Sequence, residues 1–404
     1  MLVKTDIPCG NGRIKWLSED QVEIEVIAYS KGARYTYFKV SDVQADGRKE
    51  IILRPDPYFH LDFTYFHGKI WVKRGKEGTW NPLSKGVEIT PHAIRIDLDV
   101  RKGEECFVST EPPREYVQTC RKLFAIAAQM PEAASIHCIG HSIEQRPIFL
   151  LRVTDHAHQS PPGCEEKPVI MLCAGEHATE FAGEELIRGM LAAIIGESDD
   201  ARELRRSFIF DIVLNVNPDG NFHGWHQYNR KDWLEHNYSD GLDRSWHHEF
   251  GHYFAGRREN LSPETEAIGK WVETVRPRFL VNAHSWLGHH GNPGAFRVEP
   301  ETLRQPLKGW MQRLDQAAKA VAKTFDVEFD TRPSNNTLGH LGEIMMKRYH
   351  APAYTIEGHM NLGRKGLQTF GARLLEQWLV DLTGTCEGDD QGPFQGRLLV
   401  GTDS

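Results

Sequence analysis

Two side chains able to bind a metal, His177 and Glu180, stand three residues apart just after the apolar run Val169 to Ala174. A run buried on both faces that breaks at Gly175 and opens an amphipathic pattern reads as strand, turn and helix. The carboxyl end of a buried strand is where an α/β fold keeps its ligands. Imidazole and carboxylate suit a zinc ion, which in hydrolases takes three protein ligands and keeps one position open. His284 ends a second apolar stretch, RFLVNAHSW, and could be the third ligand; a histidine that merely finishes a strand would look the same. Glu357 leaves a further apolar stretch in APAYTIEGH, a costly place for a carboxylate unless it faces a cleft or a cation.

Spacing alone does not single these residues out. H-x-x-E recurs at His141 to Glu144 and at His340 to Glu343, but neither copy follows a buried strand, so both read as surface residues. Strand placement favours the middle copy.

The elements that must position this set follow from pattern. From about residue 10 to residue 110, short alternating segments such as VEIEVIAYS, RYTYFKV and EIILRP are separated by turn signals at Asp46-Gly47 and Gly75 to Gly78. They predict an antiparallel β-sandwich or barrel of about seven or eight strands, an N-terminal all-β domain over 1–112. Asp97, Asp99 and Arg101 alternate with apolar residues and belong on a solvated face; His60 and His67 have no partner at a ligand spacing.

Pro112 and Pro113 end that pattern, and a helix is expected over Arg114 to Gln129. Strands then alternate with helices, which predicts a mixed, mostly parallel sheet with helices on both faces over 113–385. The strands fall at Ile148 to Val153, Val169 to Ala174, Phe208 to Asn215, Phe279 to His284 and Ala353 to Glu357; the helices at Glu180 to Ile195, Ser262 to Val275, Leu307 to Thr324 and Gly366 to Thr383. Pro333 to His350 reads as a loop, and 386–404 as a loosely held tail.

Composition excludes other classes. A net charge of -8 over 404 residues suggests neither nucleic-acid binding nor attraction to an anionic membrane. No apolar stretch approaches the ~20 residues of a membrane span. Seven cysteines without a C-x-x-C, and an N-terminus without an apolar signal region, lead us to expect a reduced, cytoplasmic protein.

In order along the chain, these residues resemble the M14 zinc metallocarboxypeptidases of the funnelin type. IGHSIEQRPIFLLRV resembles the family's strand pair ahead of the metal site, Asn217-Pro218-Asp219-Gly220 its NPDG turn, and LSPETEAI its S-E-P-E-T helix start. The resemblance implies one zinc ion per chain on His177, Glu180 and His284, with Glu357 as general base. It makes Arg230 the carbonyl-polarising arginine and places Asp243 and Arg244 at the substrate carboxylate, the family having Asn at the first. The implied substrate is a peptide or protein C-terminus.

Thr179 replaces the arginine that digestive members carry between the metal ligands. The cytosolic carboxypeptidases also lack that arginine and carry a preceding β-sandwich, so the chain is similar to them in layout. Their H-P-G-E segment stands here as H-A-T-E. An acyl-amino-acid amidase of the aspartoacylase type and a zinc-free binding module with a vestigial site are the alternative readings.

Overall fold

The computed structural model describes residues 1–27, 35–57, 63, 68–157, 166–226, 261–286, 294–297, 305–333 and 341–383. The N-terminal part carries ten strands among these residues: β1 (Leu2–Lys4), β2 (Arg13–Leu17), β3 (Gln21–Glu25), β4 (Tyr37–Ser41), β5 (Gly47–Arg54), β6 (Trp71–Arg74), β7 (Trp80–Pro82), β8 (Val87–Thr90), β9 (Ala93–Val100) and β10 (Cys106–Ser109). They form two five-stranded sheets, ordered β1-β4-β10-β6-β7 and β2-β3-β5-β9-β8. Ile24, Ile51, Leu53 and Ile96 of one sheet share a buried cluster with Phe38, Val40, Val72 and Val108 of the other, so the arrangement is a sandwich.

Alternation works as expected on β9, where Asp97 and Asp99 are exposed and Ile96, Leu98 and Val100 are buried. The expectation of a wholly antiparallel sandwich needs correction, because β3 and β5 pair in parallel. Between them the chain crosses to the other sheet as β4, so it re-enters in the same direction.

After α1 (Tyr116–Gln129), an eight-stranded mixed sheet is built from β11 (Ala134–His141), β12 (Pro147–Val153), β13 (Val169–Ala174), β14 (Ile209–Val213), β15 (Phe279–Ser285), β16 (Gly294–Arg297), β17 (Asp330–Pro333) and β18 (Ala353–Gly358). Its order is β11-β12-β14-β13-β15-β18-β16-β17. The central run β14-β13-β15-β18 is parallel. Every residue of β13 and β15 is buried, as both faces of a covered parallel sheet require.

Helices α2 (Phe181–Ile195), α3 (Asp199–Ser207), α4 (Pro218–His223), α5 (Pro263–Val275), α6 (Gln305–Lys323), α7 (Leu341–Arg348) and α8 (Gly363–Thr383) complete the chain. The stretch expected to be a loop from Pro333 to His350 contains α7, with Ile344, Met345 and Met346 buried. The expected tail from Cys386 lies outside the described residues.

One topological fact prepares the site. From β13 the chain moves to β14 on one side and later to β15 on the other, so the carboxyl ends of β13 and β15 flank a switch point.

Candidate metal centre

Each donor reaches this switch point for a local reason. Gly175, at φ +74, lets the chain turn sharply off β13; a Cβ there would also lie 3.1 Å from the Asn215 backbone. His177 sits in that turn and Glu180 at the N-cap of α2. His284 is the penultimate residue of β15. Gly183 in the first turn of α2 lets the helix rest on the strand: a Cβ there would stand 2.3 Å from the Ala283 carbonyl oxygen and 2.7 Å from the His284 nitrogen.

The three side chains converge. His177 Nδ1 lies 3.0 Å from Glu180 Oε1, His284 Nδ1 lies 2.8 Å from Glu180 Oε2, and the two Nδ1 atoms are 3.2 Å apart. Tetrahedral donors ~2.1 Å from a zinc ion are separated by ~3.4 Å, so this triangle fits one ion with slight opening. Two imidazole nitrogens in contact need either a proton or a cation between them, and a neighbouring carboxylate favours both. The donor set therefore fits zinc.

Electrostatics in the metal-free chain agree. Burial works against the His284 imidazolium, but hydrogen bonding to Glu180 and its charge outweigh that and raise the pKa to about 9. Burial alone would raise Glu180, yet the charge of His177 and hydrogen bonds from both histidines hold it well below the usual carboxylate range.

Glu357 reaches the same edge by register. It pairs directly with His284 between the parallel strands β15 and β18. Register partners on neighbouring strands place their side chains on one face of a sheet, and the charge of Glu357 contributes to the raised His284 pKa. Arg230, Asp243 and Arg244 lie outside the described residues, as do His60, His67 and His340.

Residues not singled out by pattern surround the donors. Glu176, buried, accepts a hydrogen bond from Asn282 Nδ2 at 2.8 Å and stands 3.7 Å from His284 Nε2. Glu111, from the end of the N-terminal sandwich, accepts from Ser285 Oγ at 3.0 Å and from the Ala182 backbone N–H. It thereby caps α2, whose own N-cap side chain makes no capping bond. His226 is the third such residue: its Nε2 is 3.3 Å from Glu180 Oε1. His177, Glu180 and His226 offer donor atoms all within 4.8 Å of one another, a second set overlapping the first. His284 Nδ1 is in contact with both His177 Nδ1 and Glu180 Oε2, so either histidine stands close enough to complete a donor set.

The NPDG segment has a structural explanation. Asn217 caps α4 by accepting from Gly220 N at 2.8 Å, and Asp219, fully buried, accepts from Ser142 Oγ, the Glu144 N–H and Arg146. It ties the turn between β11 and β12 to α4.

The chain is an α/β protein with a buried cluster of histidine and carboxylate donors at the switch point of a mixed sheet. The chain belongs to the zinc carboxypeptidase family, whose members hydrolyse peptide bonds and whose model matches residues 120–358. Similar curated proteins include mouse cytosolic carboxypeptidase 2, 23% identical over 194 residues (47% of this chain and 22% of that protein). Rat carboxypeptidase Z is 25% identical over 255 residues, covering 54% of this chain and 35% of the rat protein. The matches thus span well under two thirds of these relatives' lengths. In fold, the chain is similar to a metallo-carboxypeptidase from Burkholderia cenocepacia, with a TM-score of 0.77 at 16% identity over 94% of this chain and 98% of that one.

Proposed function

We propose that the chain is a zinc-dependent metallocarboxypeptidase that hydrolyses the C-terminal peptide or isopeptide bond of a peptide or protein. The observation that carries this reading is the buried triangle of His177, Glu180 and His284, with donors 2.8 to 3.2 Å apart beside Glu357. Those three residues would hold the ion. When bound, zinc supplies a Lewis acid and makes water acidic enough to react near neutral pH.

The chain's own residues do the rest. Glu357 takes a proton from the attacking water and returns it to the leaving amine. Arg230 donates to the oxyanion that develops on the scissile carbonyl. Arg244 offers a two-pronged donor to the substrate's terminal carboxylate, with Asp243 orienting it. The division into a sandwich domain over 1–112, a catalytic domain over 113–385 and a tail over 386–404 belongs to the same reading. A cytoplasmic setting is supported by the five described cysteines, Cys9, Cys106, Cys120, Cys138 and Cys173, all free, and by the cytosolic carboxypeptidases among similar proteins.

The test is a library of peptides with acidic, basic and apolar C-termini, read by release of free amino acid. Cleavage of N-acylated single amino acids alone would replace the carboxypeptidase by an amidase. Failure of the chain to take up zinc would leave a binding module. Glu357→Gln should keep zinc and lose roughly 10²–10⁴-fold in turnover.

A further inference from the structure

We propose that His226 is a positioning residue for the metal centre, and that Thr179 fixes His226 in turn. This rests on the metal-centre reading of His177, Glu180 and His284. The segment after α4 returns to the ligand turn and meets it at three successive residues. The His226 carbonyl accepts from the Ala178 N–H at 2.8 Å, His226 Nδ1 is 2.9 Å from Thr179 Oγ1, and His226 Nε2 is 3.3 Å from Glu180 Oε1. Thr179, Glu180 and His226 are all buried, so water does not compete for these contacts.

Donor and acceptor chemistry then sets one tautomer. An ionised carboxylate only accepts, so the nitrogen facing Glu180 carries the proton. In the neutral imidazole Nδ1 is then the acceptor for the Thr179 hydroxyl. With its proton on Nε2 and its lone pair on Nδ1 taken, His226 has no free donor for a metal, although it lies within reach of one. Its effect falls on Glu180, whose Oε1 it restrains while Oε2 accepts from the Ser285 N–H at 3.2 Å and stands beside His284. Outer partners of metal ligands act in this way, fixing orientation and raising affinity.

The inference also accounts for residue 179. Thr179 is 1% exposed, so its side chain faces the chain's own interior and its hydroxyl is committed to His226. Substrate selection falls to other residues.

Zinc affinity of the full chain, measured by competition with a chelator, tests this directly. His226→Ala should bind zinc ~10- to 100-fold more weakly while keeping 1:1 uptake. Thr179→Val should weaken it by less, Thr179→Ser should restore it, and the double variant Thr179→Val/His226→Ala should be no weaker than His226→Ala alone, because the two act in series. The cobalt(II)-substituted protein should shift its visible bands in both single variants without losing four-coordinate intensity. Unchanged affinity and bands in His226→Ala and Thr179→Val would overturn the inference, as would additive effects of the two. Complete loss of metal in His226→Ala, matching His284→Ala, would make His226 a ligand and equally overturn it. A wild-type chain that takes up no zinc would remove the metal-centre reading itself, a result separable from all of these.

Discussion

Two H-x-x-E segments of this chain share a spacing and little else. His177 and Glu180 follow β13, are buried, and meet His284 across the switch point. His141 ends β11 and is exposed, while Glu144 turns away to Arg146 and to His223, whose Nε2 is 2.9 Å off. The first pair is pointed inward by a sharp turn onto a helix packed against a neighbouring strand. The second lies at a hairpin, where the carboxylate pairs with the Arg146 guanidinium instead. The spacing is common to both, and only the first pair is buried together beside a third donor.

The contrast breaks most sharply at His284. His284→Ala should cost far more than the ~100-fold in zinc affinity that an outer partner is worth, and should abolish turnover; retained stoichiometric zinc by metal analysis would disqualify the triangle.

Next in size is a pH effect behind the buried corner. Burial raises Glu111 to about 8 from an ordinary 4.5, more than its hydrogen bonds from Ser285 and Ala182 lower it. Because the folded pKa lies above the unfolded one, its contribution to stability is full below about pH 4.5 and is lost as pH rises through about 8. Glu111→Gln keeps the acceptor without the charge. Its stability relative to wild type should grow over that window, by about 5 kcal/mol at most. Denaturant unfolding at several pH values reads this; parallel curves for the two proteins would refute it.

Smaller again is Gly183→Ala, whose methyl group would force α2 off β15. We expect a loss of about 1–3 kcal/mol, together with weaker zinc binding, since the helix carries Glu180 and the strand carries His284. Thermal unfolding without metal separates the two effects. The smallest change belongs to the other copy: His141→Ala should alter stability by less than about 0.5 kcal/mol and leave zinc affinity unmoved. A loss of metal there would undo the distinction between the two segments.

Much of the central sheet was legible because its strands are apolar runs ending in abrupt polar signals. Val169 to Ala174 matches β13 to the residue, and β12, β14, β15 and β18 differ only by a residue or two at their ends. The strands β16 and β17, the last two of the sheet, were missed because each is only four residues long and carries no continuous apolar run. Helix α3 was missed for another reason. DDARELRRS is nearly all charge, although Ser198 caps it and Asp199, Asp200, Arg205 and Arg206 sit where the helix dipole favours them.

At the site, His177 and Glu180 were legible from the turn that follows β13, and His284 and Glu357 from the apolar strands they nearly end. Glu111, Glu176 and His226 were not. Glu111 and His226 reach the donors through tertiary contacts at sequence separations of 71 and 46 residues or more, as Ala182 and Glu180 show. A capping residue supplied by a distant segment leaves no local pattern.

The separation between His177 and His284 has a kinetic consequence. These donors are 107 residues apart, and they meet only once β13 and β15 lie side by side with α2 against them. A metal ion therefore has no complete site in the early folding chain and cannot nucleate it. A bound ion would act on the paired strands, so zinc is expected to slow unfolding more than it speeds folding.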